Sequence, residues 1–350
     1  MNTTRNIDID RMRGVAVFLM LIVNSPIDLR ITNSMLMHSD WEGLTLADTV
    51  FPMFLFIVGV SLTLSRHSRR ITLRVLIFRA IFLVVLGLVL KIFFFILFEP
   101  AHFKIMGVLQ RIGLCYAIVG VMYYYMNFNF LKVLCLMLFL MWSGMLYLWG
   151  DYNQFTNISD VVDNFILGVH ANYYNAEVGK YGDSEGILST IGAIITTLLG
   201  VLFGEKIKKA DNSNLLLYCL ICIVSGLALF LLFSMPVVKK IWTPSFILIN
   251  SGISICVYLL LKKMSCFNLK SLEFIGRHSL AMYFFSVLVF YFLVYFKLWY
   301  SLFIEVYTFF LLNDMPIKVA TLIFSLLFSS ILCFTPYLIQ KIVIYIKGTL

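Results

Sequence analysis

Residues 73–97, LRVLIFRAIFLVVLGLVLKIFFFIL, decide the class of fold. Only Arg74, Arg79 and Lys91 bring charge into this apolar run. A helix needs about 20 apolar residues to cross the hydrocarbon core of a bilayer, and comparable runs recur from residue 14 to residue 346. The sequence therefore predicts a polytopic membrane protein built from helices.

The composition of the whole chain agrees with this prediction. Hydrophobic residues make up 61% of the 350, and the mean hydropathy is +0.95, whereas soluble domains are about 45–50% apolar. No polar block as large as a soluble domain separates the apolar runs. We therefore expect an all-α fold with one integral membrane domain over residues 1–350 and an outer-side loop at 150–186.

The apolar runs and polar breaks predict ten transmembrane helices. A shorter apolar segment at 298–312 is predicted to be an interfacial helix, with a re-entrant segment or an eleventh span as alternatives. The predicted spans are 14–31, 46–65, 73–97, 105–126, 131–149, 187–204, 215–234, 243–261, 278–297 and 317–341.

The lysines and arginines predict the orientation. With the N-terminus inside, 18 of the 27 basic residues fall on the inner side, as the positive-inside rule requires. Both termini are then cytoplasmic, and the acidic 150–186 loop is outside. The net charge of +9 reflects this orientation and does not imply nucleic acid binding. We predict no removable signal peptide.

The seven cysteines lie within or at the ends of apolar runs. That position is typical of small buried hydrophobic side chains. We therefore predict neither a disulfide framework nor a metal site.

Residues 35–52, MLMHSDWEGLTLADTVFP, concentrate polar side chains between two apolar runs. Thr45 and Asp48 have the spacing of a helix capping box. A structural and a catalytic role for Asp48 are therefore equally open. His38 and Trp41 have no such structural explanation. Histidines whose protonation responds to their surroundings often mark functional sites, and a solvated loop histidine is the alternative for His38.

Three of the polar residues inside predicted spans need an explanation. Asn24 is consistent with a kinked helix bonded to its neighbour, or with the wall of an outward-facing recess. Arg111 is consistent with close helix contact or with an anion partner, and we favour the anion because intramembrane charges are often functional. Lys91 is close enough to the outer interface to extend towards it.

Two further segments have the residue pattern of helix starts on the outer side. Asp183 and Glu185 precede the sixth span, where the positive end of the helix dipole stabilises their negative charge. They could also hold a cationic amine. In KKIWTPSF, Thr243 and Pro244 have the pattern of an N-cap followed by the first helical residue. Trp242 lies directly before that cap.

Five blocks of sequence together resemble the transmembrane acyltransferase family of heparan-alpha-glucosaminide N-acetyltransferase. The blocks run in the family order and cover most of residues 10–290. They are RGVAVFLMLIVNSP (13–26), HSDWEGLTLADTVFPMFLFIVGVSLTLS (38–65), KIMGVLQRIGLCY (104–116), YGDSEGILSTIGAIITTLLGVLFGE (181–205) and MPVVKKIWTPSFILINSGIS (235–254).

The resemblance implies transfer of an acetyl group across a membrane, from cytoplasmic acetyl-CoA to an amino sugar on the far face. The family's catalytic histidine corresponds to His38. Its asparagine, aspartate, arginine and glutamate correspond to Asn24, Asp48, Arg111 and Glu185.

The chain departs from the family pattern in two respects. The lysosomal member has an extra luminal domain and a leading span that this sequence lacks, so heparan sulfate is not the expected acceptor and a bacterial inner membrane is the expected location. His278 stands where the family pattern leads us to expect asparagine, and its role is open.

For the chemistry, we predict His38 as general base, Asp48 as the residue that orients its ring, and Asn24 as a donor to the oxyanion. An acetyl-histidine intermediate is the alternative. The expected CoA-binding residues are Arg111, Arg66, Arg70 and Lys262. The expected acceptor-binding residues are Trp41, Glu185, Asp183 and Trp242.

Two other classes of protein are alternatives to the enzyme. A secondary transporter of a sugar also suits intramembrane polar residues, and a structural membrane protein is disfavoured by the cluster around His38. The expected partners are acetyl-CoA, an amino sugar and the lipid bilayer, and a homodimer is left open.

Overall fold

The computed structural model describes residues 6–25, 31–67, 72–209, 214–264 and 267–349. Thirteen α-helices lie in these ranges, together with two short 3₁₀ helices and one small hairpin. The helices are α1 Ile7–Asn24, α2 Leu46–His67, α3 Leu73–Phe98, α4 Val108–Tyr125, α5 Phe128–Trp149, α6 Ile158–Ile166, α7 Thr190–Lys208, α8 Leu215–Phe233, α9 Pro244–Lys263, α10 Lys270–Arg277, α11 Ser279–Tyr295, α12 Leu298–Leu311 and α13 Ile317–Thr349.

A helix overlaps each of the ten predicted spans within the described residues, and the all-helical architecture is confirmed. Within the described residues, seven helices are long and apolar enough to cross a membrane. An eighth is added if α10 and α11, which meet at 80°, form one broken span. The segment predicted at 298–312 is a separate helix, α12.

Helix α1 begins earlier than the sequence predicts, at Ile7 instead of residue 14, and ends at Asn24. The Asn6 side chain accepts a hydrogen bond from Ile9 N at 3.2 Å and caps the helix. The charged first turns are stabilised by ion pairs with α10, of which Arg11 Nη2 to Glu273 Oε1 at 2.9 Å is the closest. These distant partners are not visible in the apolar pattern.

The chain divides into two compact units. The first comprises the described residues of Met1–Ser39, Thr45–Val50 and Val257–Leu350. Within it, α1 packs against α10, α11 and α13, and α12 packs against α11 and α13. Trp299, Phe303 and Phe324 form a buried aromatic cluster there.

The second unit comprises Asp40–Leu44 and the described residues of Phe51–Cys256. Its core contains Leu55, Trp142, Leu198 and Trp242, all fully buried. Helices α2 and α7 approach so closely that a Cβ at Gly200 would lie 2.1 Å from the carbonyl oxygen of Phe56. Small residues at such crossings allow membrane helices to pack backbone against backbone.

His278 lies at the bend between α10 and α11. Its Nδ1 is 2.9 Å from the carbonyl oxygen of Phe274, and its ring lies 4.5 Å from the Phe274 ring. At the position where we expect asparagine in the family, the imidazole therefore contacts the last turn of α10.

The 150–186 loop has structure of its own. Helix α6 is capped by Asn157, whose side chain accepts from Asp160 N at 2.9 Å. Strands β1, Tyr173–Asn175, and β2, Lys180–Gly182, pair antiparallel. This hairpin and α6 precede α7 in the chain. The sequence predicts only a loop over these residues.

Candidate active site

His38 and Asp48 form a pair at the beginning of α2, within the first unit. His38 Nδ1 lies 2.9 Å from Asp48 Oδ1. The His38 side chain is 52% exposed and Asp48 is fully buried. A buried carboxylate thus contacts one nitrogen of an accessible imidazole.

Asp48 is fixed by further hydrogen bonds to its second oxygen. Oδ2 accepts from Ser39 N at 3.0 Å and from Thr45 Oγ1 at 2.9 Å. It also accepts from Thr45 N at 3.3 Å, which is the capping-box contact that the spacing predicts. Asp48 therefore makes the helix-capping contacts through Oδ2 and the contact with His38 through Oδ1.

This geometry selects the protonation of the imidazole. A carboxylate only accepts hydrogen bonds, so the tautomer with hydrogen on Nδ1 is the one that pairs with Asp48. Nε2 then carries the lone pair of the neutral ring. The arrangement is chemically suited to a general base or a nucleophile at Nε2 of His38.

Trp41 belongs to Asp40–Leu44, which the second unit holds in place. Trp41 Nε1 donates to the carbonyl oxygen of Tyr152 at 2.7 Å. Lys240 Nζ donates to the carbonyl oxygen of Asp40 at 2.9 Å and lies 5.3 Å from the Trp41 ring centroid. A cation placed over an indole face is a favourable contact that fixes both side chains.

Arg111 is fully buried in the second unit. Its Nη2 donates to the carbonyl oxygen of Gly186 at 2.8 Å and also to Ser189 Oγ. Its Nε and Nη1 have no hydrogen-bond partner among the described residues. Burying two guanidinium nitrogens without an acceptor costs free energy. An anionic or carbonyl ligand at this site would supply the missing acceptors.

Trp242 is also fully buried, and it lies beside Arg111. The guanidinium carbon is 5.2 Å from its ring centroid, while Trp242 Nε1 donates to Thr196 Oγ1 at 2.9 Å. Thr243 and Pro244 stand where the sequence predicts, since α9 begins at Pro244. Trp242 thus contacts the arginine side chain.

Asp183 and Glu185 share one amide donor. Asn172 Nδ2 donates to Asp183 Oδ1 at 2.6 Å and to Glu185 Oε2 at 2.7 Å. Burial, with the charge of Glu185 adding to it, raises the pKa of Asp183 to about 7. Glu185 is half-buried. A cationic amine beside the pair would stabilise the charged form of Asp183.

The other predicted residues are dispersed. Asn24 is the last residue of α1 and is exposed, and Lys262 is half-buried in the last turn of α9. Arg70 lies outside the described residues, as does the side chain of Arg66. Within the described ranges, no group of three or more His, Cys, Asp or Glu side chains is placed to hold a metal ion.

Two residues that the sequence does not mark as site residues support these sites. Asn172 stands in the acidic loop without a recognisable motif. Asp163, on α6, is fully buried and accepts from Ile187 N at 2.8 Å. Burial raises the pKa of Asp163 to about 6, and the charge of Arg111 acts in the opposite direction. Only the tertiary arrangement brings these side chains to the beginning of α7.

Comparison with known proteins identifies proteins that this chain resembles. Residues 5–159 match the family model described as heparan-alpha-glucosaminide N-acetyltransferase, catalytic. The Homo sapiens heparan-alpha-glucosaminide N-acetyltransferase is 26% identical over 324 residues, and the Mus musculus protein of that name is 26% identical over 320. Each comparison covers 72% of this chain and 48% of the relative. The chain spans about half the length of the curated relatives it matches.

His38, Asp48, Asn24 and Arg111 all fall within the segment that the family model matches. Asp183, Glu185 and Trp242 lie beyond it. The resemblance drawn from the motifs is confirmed, because the chain is similar to the heparan-alpha-glucosaminide N-acetyltransferases over these ranges.

Proposed function

We propose that this chain is a transmembrane N-acetyltransferase of the bacterial inner membrane. It moves the acetyl group of cytoplasmic acetyl-CoA to the amine of a glucosamine-type sugar on the periplasmic side. The kinship with N-acetyltransferases supports the reaction. The excess of basic residues on one side supports ten spans with both termini in the cytoplasm.

The observation that carries the proposal is the pairing of His38 with Asp48 at 2.9 Å. With Nδ1–H donating to Asp48, Nε2 accepts a proton from the acceptor's ammonium group. The free amine attacks the thioester carbonyl carbon, a carbon–nitrogen bond forms, and the carbon–sulfur bond breaks. The nitrogen loses a second proton as the amide forms, so two protons leave it in all. The CoA thiolate takes up one of them from the imidazolium, and the other is released to solvent, so the histidine is regenerated.

Other residues hold the two substrates. Arg111, with two buried nitrogens that lack acceptors, binds acetyl-CoA, and Arg66, Arg70 and Lys262 contribute to its nucleotide end. Asn24 donates to the oxyanion that develops on the thioester carbonyl.

The acceptor site uses the acidic and aromatic residues of the outer side. Asp183 and Glu185 attract the ammonium form of the sugar, and Trp41 packs against the sugar ring. Trp242 supports the site through its contact with Arg111.

Reconstituted vesicles test the reaction. Protein is supplied with acetyl-CoA on one face and glucosamine on the other, and free CoA is measured with and without the acceptor. We expect CoA release only when both are present, and its loss in His38→Ala. The control is His102→Ala, since His102 is also exposed. Uptake of sugar without acetylation would contradict the enzyme and favour a transporter.

A second measurement separates direct transfer from an acetyl-histidine route. We expect rapid quenching with labelled acetyl-CoA alone to trap no acetyl-protein if His38 acts as a base. A labelled intermediate that disappears when glucosamine is added would establish the covalent alternative.

A further inference from the structure

A cavity of about 530 Å³ lies between helices α2, α5, α7, α8 and α9 of the second unit. Phe56, Leu202 and Ile255 are among the apolar residues that line it. Its volume is in the range of sites that hold small molecules, roughly 300–1,000 Å³. Among the residues proposed above whose side chains the structure describes, none lines this cavity.

Three lysines line the cavity: Lys132, near the start of α5, and Lys206 and Lys209, at the end of α7. Aromatic rings hold their ammonium groups. Lys132 Nζ is 4.6 Å and Lys209 Nζ is 5.8 Å from the Phe128 ring centroid. Lys206 Nζ is 4.7 Å from that of Tyr218. Contacts of this kind position cations beside an apolar chamber.

The acidic residue of the lining, Glu205, does not cancel this charge. Its carboxylate accepts from Lys208 Nζ at 3.1 and 3.3 Å, and Lys208 lies outside the lining. Glu205 also accepts from the Tyr123 hydroxyl. Among the described residues of the lining there are three lysines and one glutamate, so this part of the lining carries a net positive charge.

The surroundings of the cavity identify the kind of ligand. Only 22% of the apolar stretch of α5 and 17% of that of α8 are buried, so most of both helices faces lipid. The lysines lie at the end of these helices that the positive-inside rule assigns to the cytoplasmic leaflet. That leaflet carries anionic lipids, which attract lysines near the membrane surface.

We propose that this cavity binds one anionic phospholipid of the cytoplasmic leaflet. The headgroup phosphate lies among Lys132, Lys206 and Lys209, and an acyl chain extends along the apolar wall that includes Phe56 and Ile255. The proposal concerns a site separate from the acetyl-transfer residues. It does not depend on that activity.

Native mass spectrometry of the delipidated full chain tests the proposal. The protein is titrated with phosphatidylglycerol or with phosphatidylcholine that carries the same acyl chains. We expect one phosphatidylglycerol to bind at least about tenfold more tightly than phosphatidylcholine. The double variant Lys132→Gln with Lys209→Gln should bind phosphatidylglycerol roughly 30-fold more weakly.

Two controls separate the site from general effects. Lys263→Gln with Lys270→Gln removes the same charge from exposed lysines on the same predicted side, and should bind phosphatidylglycerol as the wild type does. Cys222→Phe fills the cavity without changing its charge and should also weaken binding. Cys256→Phe, at an exposed cysteine, should not.

Three outcomes would overturn the proposal. The first is equal affinity for the two lipids, and the second is a double variant that binds like its lysine control although its melting temperature is unchanged. The third is displacement of phosphatidylglycerol by acetyl-CoA in a competitive manner, which would make the cavity a coenzyme site. A loss of acetyl transfer with lipid binding intact would count against the proposed function alone.

Discussion

Asp48 Oδ1 contacts His38 Nδ1 at 2.9 Å, while Asp48 Oδ2 accepts three hydrogen bonds from Ser39 and Thr45. The carboxylate therefore belongs to the helix start and to the histidine at the same time. Its fixed position means that the imidazole of His38 is oriented by a side chain at the start of α2 that Ser39 and Thr45 hold in place. A change at Asp48 that leaves the helix folded should alter the chemistry of His38.

Asp48→Asn should lower kcat for acetyl transfer by roughly 100-fold or more. The amide has one acceptor oxygen where the carboxylate has two, so it cannot serve His38 and the donors at Ser39 and Thr45 together. The measurement is CoA release at saturating acetyl-CoA and glucosamine, with KM determined separately for each. A positioning role predicts that kcat falls much more than either KM rises.

Thr45→Val is the matched control for this prediction. It removes one donor to Asp48 Oδ2, at 2.9 Å, and leaves the contact with His38 in place. We expect its kcat to stay within about threefold of the wild type, because an exchange that keeps the carboxylate keeps the tautomer. A folded Asp48→Asn protein with wild-type kcat would remove Asp48 from the mechanism.

Arg111→Lys should raise the dissociation constant of acetyl-CoA by about tenfold or more. Lysine keeps the positive charge but not the planar fork that bonds Gly186 O and leaves Nε and Nη1 available. Binding is measured by calorimetry, with melting temperature as a check on folding. Ser189→Ala, which removes a single partner of Nη2, should affect binding less. Unchanged affinity in Arg111→Lys would exclude this arginine from the coenzyme site.

Much of the helical framework could be predicted from the sequence. The span predicted at 73–97 is Leu73–Phe98, and that at 215–234 is Leu215–Phe233. A bilayer permits only backbone that satisfies its own hydrogen bonds, so long apolar runs leave little choice of structure. The capping contact between Thr45 and Asp48 was predictable for a similar reason, because it is local in sequence.

The rest depended on contacts between distant residues. Helix α1 extends back to Ile7 because Glu273, far along the chain, pairs with Arg11. Asn172 joins the acidic pair through its amide, and no motif marks it. Helix α10, which meets α11 at 80°, lies in a segment that the apolar pattern leaves between two predicted spans.

Asp163 should make stability depend on pH. Burial raises its folded-state pKa from 3.8 to about 6, so the neutral form is the one that folding favours. The contribution is complete below pH 3.8 and is lost as the pH rises to about 6. The shift corresponds to about 3 kcal/mol. We expect the melting temperature of the wild type to fall over this range more steeply than that of Asp163→Asn.

Asp151→Asn provides the control in the same loop. Hydrogen bonds, the largest from Thr156, lower the pKa of Asp151, so its contribution is lost only as the pH falls below 3.8. Between pH 4 and 6 the variant should keep the slope of the wild type. Parallel curves for wild type and Asp163→Asn would show that Asp163 does not titrate in this window.

Gly276→Ala should destabilise the first unit. A Cβ at Gly276 would lie 1.7 Å from the carbonyl oxygen of Asp10 and 2.9 Å from Gly14 N. Both contacts are with the backbone of α1, which cannot move aside without disturbing the ion pair of Arg11 with Glu273. Overpacking of this kind costs about 1–3 kcal/mol or more, so the melting temperature of the purified protein should fall.

Gly144→Ala is the corresponding change at an open position. A Cβ there would meet no described atom within 4 Å beyond its own stretch of α5. Alanine is also the better helix former by about 1 kcal/mol, so this variant should melt at or slightly above the wild-type temperature. Equal melting of Gly276→Ala and Gly144→Ala would contradict the close packing of α1 against α10. A selective loss in Gly276→Ala would locate the sensitivity at the crossing of these two helices.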